Sequence, residues 1–150
     1  MSNSPIGIFD SGMGGLTVLR ALIERLPHER FVYLGDTARL PYGTKSGDTV
    51  ARYALQAADT LIRWQVKLLV IACNTASAYG LAAVQAAFSD IPVIGVIEPG
   101  AKAAANAAPE GPIAVIATEG TVNGGAYLRA IRARAPQALV RQQACPLFVP

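Results

Sequence analysis

Short apolar runs and helix-period segments take turns along the whole chain, and that alternation limits the fold more than any single residue does. Apolar runs at residues 6–9, 31–35, 67–72, 92–97, 113–117 and 138–144 have the length of strands. Between them, apolar residues recur three and four apart. Leu16, Leu19, Ile23 and Leu26 make one stripe, which Pro27 ends, and Val50, Ala54, Ala57, Leu61 and Trp64 make the next, in a helix starting near Asp48. Ala-rich helical segments are expected at 74–88 and, more weakly, at 101–107, and a further helix at about 118–135. Parallel strands need a crossover, usually a helix, between neighbours. The expected class is therefore α/β, with a parallel sheet covered by helices on both faces.

In such sheets ligands bind at the carboxyl ends of the strands. Those ends hold the polar residues here: Asp10 and Ser11, the loop 36–44, Cys73 to Thr75, Glu98, and Thr118 to Thr121. His28, the only histidine, falls on the opposite edge. Cys73 stands where a buried strand ends and a helix begins, with Asn74 and Thr75 as favoured helix caps. A helix N-terminus favours the thiolate and lowers a thiol's pKa. Cys73 then reads as a base or nucleophile, or as a buried structural cysteine. Asp36 and Glu98 read as capping and loop-closing groups.

Other chemistries lack their residues. Hydrophobic residues make up 52% of the chain and charged residues 15%, so it can bury a core. The net charge is +3, and the one basic cluster, Arg129, Arg132 and Arg134, reads as a solvated helix face, not a nucleic-acid site. Two cysteines without ligand spacing give neither a disulfide scaffold nor a metal site. No signal peptide or membrane-length apolar run is present, which makes the cytoplasm the expected compartment. Gly12-Met13-Gly14-Gly15 lacks the later glycine of a dinucleotide fingerprint, since Thr17 stands there, yet a nucleotide-binding domain stays open as an alternative. Lys45, Lys67 and Lys102 do not suit a Schiff base. What remains is a cysteine at a helix start, a carboxylate at a neighbouring strand end, and several hydroxyl and amide donors. That set suits proton transfer or nucleophilic attack on a small anionic substrate without a cofactor.

Five segments together resemble the glutamate racemases of the Asp/Glu racemase superfamily. They are Gly7-Ile-Phe-Asp-Ser-Gly-Met-Gly-Gly-Leu-Thr-Val18, Tyr33-Leu-Gly-Asp-Thr37 with Leu40-Pro-Tyr-Gly43, Ile71-Ala-Cys-Asn-Thr-Ala76, Val93-Ile-Gly-Val-Ile-Glu-Pro-Gly100, and Ala117-Thr118 with Thr121. The resemblance implies cofactor-independent interconversion of L- and D-glutamate, supplying D-glutamate for peptidoglycan. It implies two cysteines on opposite faces of the substrate α-carbon, one removing the proton as the other supplies one. Cys73 matches the first, and Asp10 the acidic residue that assists it. Ser11, Asn74 and Thr75 match groups that hold the ammonium and α-carboxylate. Pro41, Tyr42 and Gly43 match the loop that binds the side-chain carboxylate, and Thr118 and Thr121 match positions from a second lobe. The segment carrying the family's second cysteine is absent, and Cys145 does not match it. The expectation is a near-complete first lobe over residues 1–97 and the beginning of a pseudo-symmetric second lobe over 98–150, a fragment inactive or impaired by itself. The intact family implies a homodimer, with neither nucleic acid nor membrane as partner. An aspartate racemase and a non-catalytic module that binds glutamate or a protein are the alternatives.

Overall fold

The computed structural model describes residues 3–148. Val149 and Pro150, which close the run beginning at Cys145, lie outside the described residues. Four strands form the first sheet: β1 (Ile6–Asp10), β2 (Phe31–Gly35), β3 (Leu68–Ile71) and β4 (Val93–Gly95). Their order is β2-β1-β3-β4, and every pairing is parallel. The connections are α1 (Leu16–Arg25), α2 (Gly47–Ile62) and α3 (Asn74–Ala87). α4 (Ile97–Ala107) then leads to a second, two-stranded parallel sheet of β5 (Pro112–Ala117) and β6 (Leu139–Ala144). α5 (Glu119–Gly124) and α6 (Ala126–Arg134) cross over between those two strands.

The two-residue period of the strands decides which helix covers which face. Ile6, Ile8 and Val70 point to one side, where Val18, Leu19 and Leu22 of α1 meet them. Phe9, Leu69 and Ile71 point to the other, against Val50, Ala54, Ala57 and Leu61 of α2 and Val84 of α3. Ile8 and Phe9 are both fully buried, and each such side chain contributes about 1.5–3 kcal/mol. A separate core joins Ile97 and Ala101 of α4 to Ala130 and Ile131 of α6 over Ile113. The α/β class, with helices on both faces of a parallel sheet, is as the alternation dictates.

Three local readings need correction. The strand expected at 92–97 is only Val93–Gly95, and Glu98, Pro99 and Gly100 lie in the first turns of α4. A proline is tolerated there because a first-turn N–H has no intrahelical partner to lose. The single helix expected at 118–135 is two helices, parted at Gly125, which has φ of 62°. A left-handed residue closes α5, and glycine takes that conformation without a Cβ penalty. The cap of α3 is Cys73, whose sulfur accepts from Ala76 N–H, and not Asn74 or Thr75.

Candidate active site

The strand order places the site. From β1 the chain crosses to β2 on one side, then returns to place β3 on the other. The helices leaving β1 and β3 diverge to opposite faces, and a crevice opens between the two strand ends. Asp10 ends β1, and Cys73 follows β3 by two residues. A cleft of about 1190 Å³ opens over them, walled on one side by the first sheet and on the other by β5, α5 and α6. Asp10, Ser11, Pro41, Tyr42, Gly43, Cys73, Asn74, Thr75, Thr118 and Thr121 all line it. His28 and Cys145 do not line it. Cys145 is half-buried, and its N–H donates to Ala117 O at 2.8 Å.

Cys73 is 7% exposed. Its thiol donates to Ser11 Oγ at 3.4 Å and accepts from Ala76 N–H at 3.4 Å. Burial pushes the thiol above its ordinary value. The hydrogen bonds to Ser11 and Ala76 pull it down, while the Asp10 carboxylate pushes it further up. The helix start therefore acts in the expected direction, and desolvation outweighs it. The resting group is a thiol at neutral pH. Asp10, also buried, accepts from Gly12 N–H at 2.9 Å.

The loop 36–44 reaches the cleft through Pro41, Tyr42 and Gly43. Tyr42 is buried with its ring between Phe9 and Tyr53, at centroid distances of 6.2 and 5.5 Å. Its hydroxyl donates to Asp36 Oδ2, which also accepts from Arg39 Nε. Burial, then the Asp36 bond, push the Tyr42 phenol far up, so it stays a donor. Asp36 thus closes its loop, and Glu98 pairs with Arg134 at 2.6 Å.

Three hydroxyls meet across the cleft. Thr75 Oγ1 lies 3.0 Å from Thr118 Oγ1 and 3.0 Å from Thr121 Oγ1, and those two are 3.0 Å apart. Thr118 caps α5 by accepting from Thr121 N–H at 3.3 Å. These contacts, with Gly43 pressed on Thr118, join the two sheet units.

Two tyrosines support the site without having been read from the sequence, Tyr127 in the cleft lining and Tyr33 behind Gly12. Tyr33 donates to Gly12 O at 3.1 Å, and burial, with the Asp10 and Cys73 charges, raises its phenol to about 12. The alternation along β2 puts Tyr33 and Gly35 on one face, where Gly35 passes close to Gly12 O. Tyr127 donates to Asn74 Oδ1 at 2.8 Å, which leaves the Asn74 NH2 free to turn to the cleft. Nothing local in the sequence signals Tyr127, because its place depends on the break at Gly125.

A family model described as Asp/Glu/Hydantoin racemase matches residues 7–148. The chain belongs to this family. Among its curated relatives are the glutamate racemases of Geobacter metallireducens, 57% identical over 97% of this chain and 53% of that protein, and of Chlorobaculum parvum, 52% identical over 99% and 55%. Among solved structures, a Francisella tularensis glutamate racemase in complex with D-glutamate superposes with a TM-score of 0.91 at 44% identity, covering 99% of this chain and 55% of that one. The glutamate racemase of Aquifex pyrophilus gives 0.90 at 50% identity, covering 96% and 56%. This racemase-family chain spans about half the length of the relatives it matches. Among its described residues no helix is long and apolar enough to cross a membrane, and no group of three or more His, Cys, Asp or Glu could hold a metal ion.

Proposed function

We propose that this chain supplies one half of a glutamate racemase active site, with Cys73 as one of two bases. The observation that carries the reading is the buried Cys73 thiol at the switch-point crevice, bonded to Ser11 and beside Asp10. Removing the α-proton of an amino acid needs a strong base held against the α-carbon. A thiol whose pKa is raised gives a more basic thiolate once it ionises, and the arriving substrate ammonium favours that ionisation. Asp10 takes up the thiol proton and assists its transfer. The Cys73 thiolate removes the α-proton from one face, and a second cysteine, from the remainder of the protein, delivers a proton to the other. The reverse direction exchanges the two roles. No cofactor takes part.

Ser11, Asn74 and Thr75 hold the ammonium and α-carboxylate. Tyr42 and Gly43, with Pro41, receive the side-chain carboxylate, and Thr118 and Thr121 close the site from the second unit. Residues 1–97 are the first lobe and 98–150 the start of the second. The named relatives, one of them solved with D-glutamate, support this assignment over an aspartate racemase. The product D-glutamate serves peptidoglycan synthesis in the cytoplasm, and the intact protein is a homodimer.

The test is α-proton exchange in D2O, followed by NMR on L- and D-glutamate separately, beside Cys73→Ala. Interconversion in the intact protein and loss of exchange from one enantiomer in its Cys73→Ala variant are the expected results. Undiminished racemisation in Cys73→Ala would refute the role of Cys73.

A further inference from the structure

We propose that Asp36, Arg39 and Tyr53 are positioning residues that hold the Tyr42–Gly43 turn at the depth suited to a five-carbon diacid. The inference rests on the reading that this turn receives the substrate's side-chain carboxylate. Asp36, Arg39 and Tyr53 do not line the cleft. They act from behind its wall.

The carboxylate of Asp36 is the meeting point. Its Oδ2 accepts from Tyr42 OH and, at 2.6 Å, from Arg39 Nε. Its side chain is only 9% exposed, so these bonds are little diluted by water. Arg39 reaches onward in two directions. Its Nη1 donates to Gln56 Oε1, and its guanidinium lies over the Tyr53 ring at 4.2 Å from the centroid. Tyr53 and Gln56 are three residues apart on α2 and share a helix face. Tyr53 in turn packs on the Tyr42 ring. The loop is thus tied to a 16-residue helix by charge, ring and hydrogen bond.

On its other side the turn meets α5. A Cβ at Gly43 would lie 2.5 Å from Thr118 Cβ, and one at Gly120 would lie 2.9 Å from Gly43 O. The turn therefore cannot advance into the cleft. Asp36, Arg39 and Tyr53 stop it from retreating. With both movements blocked, the distance from the Tyr42–Gly43 backbone to Cys73 is fixed. A fixed distance selects chain length, because diacids of different length span different distances between the two ends of the site.

The test uses the intact protein and compares binding of glutamate, aspartate and 2-aminopentanoate, which has the five-carbon chain without the side-chain carboxylate. Arg39→Met keeps the stem and removes the fork and charge. It should weaken glutamate binding about tenfold and leave aspartate and 2-aminopentanoate unchanged. Arg39→Lys keeps the charge but not the planar fork, and should give a smaller loss in the same direction. It also serves if Arg39→Met does not fold. An equal loss for all three ligands would mean a general structural role, and no loss for any would mean no role; either overturns the inference. If the unmodified protein does not bind glutamate, the functional reading falls first, and the inference with it.

Discussion

A methyl group at Gly43 tests the join between the two sheet units directly. In Gly43→Ala the new Cβ would stand 2.5 Å from Thr118 Cβ, 2.8 Å from its Cγ2 and 2.9 Å from its Oγ1. Carbon atoms in contact rest about 3.5–4.0 Å apart, so the wall must part by about 1 Å. Thr118 cannot swing clear, because Cβ is the first atom off a backbone held as the cap of α5. Overpacking of this kind costs about 1–3 kcal/mol. Moving Thr118 also stretches its 3.0 Å contacts to Thr75 and Thr121, worth about 1 kcal/mol in all. Against these stands about 0.4–1 kcal/mol gained from a stiffer unfolded chain. Destabilisation wins by about 2 kcal/mol. Urea titration reads it as a midpoint lowered by about 1 M with unchanged slope. A midpoint equal to or above that of the unmodified protein would refute the close approach of the two units at Gly43.

The remaining predictions concern the thiol and its neighbours. Alkylation of Cys73 by iodoacetamide should rise only as pH passes above 9.0, the ordinary value from which burial lifts it, and a reactivity midpoint below 8 would contradict the buried setting. The same shift has a stability consequence. The unfolded chain ionises the thiol first, so stability is full below the ordinary value of 9.0 and falls as pH rises above it toward the folded value. Urea midpoints should therefore decline as pH rises above 9.0, and the decline should be shallower in Cys73→Ala. Tyr127→Phe removes the 2.8 Å bond to Asn74, and should cost about 1 kcal/mol while weakening glutamate binding measured by calorimetry. Unchanged binding would show that Asn74 needs no such support.

Much of this arrangement is legible in the residues because it depends on near neighbours. The apolar runs, the stripes of α1 and α2 and the strand-to-helix junction at Cys73 follow from periods of two and 3.6. The polar strand ends then mark one edge of the sheet, and the cleft collects all ten residues expected there. What escaped depends on partners distant in sequence. Cys73 caps α3 in place of Asn74, its sulfur accepting from Ala76 N–H, while the loop from β1 brings Ser11, 62 residues away in sequence, against the thiol. The rise in its pKa comes from burial, which no local pattern reports. The early start of α4 and the break at Gly125 are competitions between a glycine or proline and helix continuation, and tertiary packing decides them. Tyr33 reaches Gly12 and Tyr127 enters the cleft because the sheet order and the second unit carry them there.

The triangle of Thr75, Thr118 and Thr121 has three oxygens and three protons for three edges. If every hydroxyl donates to its neighbour around the ring, all the protons are spent inside it, and what remains is one lone pair each on Thr75 and Thr121, since Thr118 also accepts from Thr121 N–H. The trio then greets a cation. Turning one hydroxyl out breaks one edge, at a cost of about 1 kcal/mol, and offers a proton to an anion instead. The same three side chains can thus change the sign of what they welcome without moving an atom heavier than hydrogen. In the proposed two-base reaction only the α-hydrogen changes sides, and a wall of reversible polarity can follow the shift of charge within the substrate while its ammonium and carboxylate stay in place.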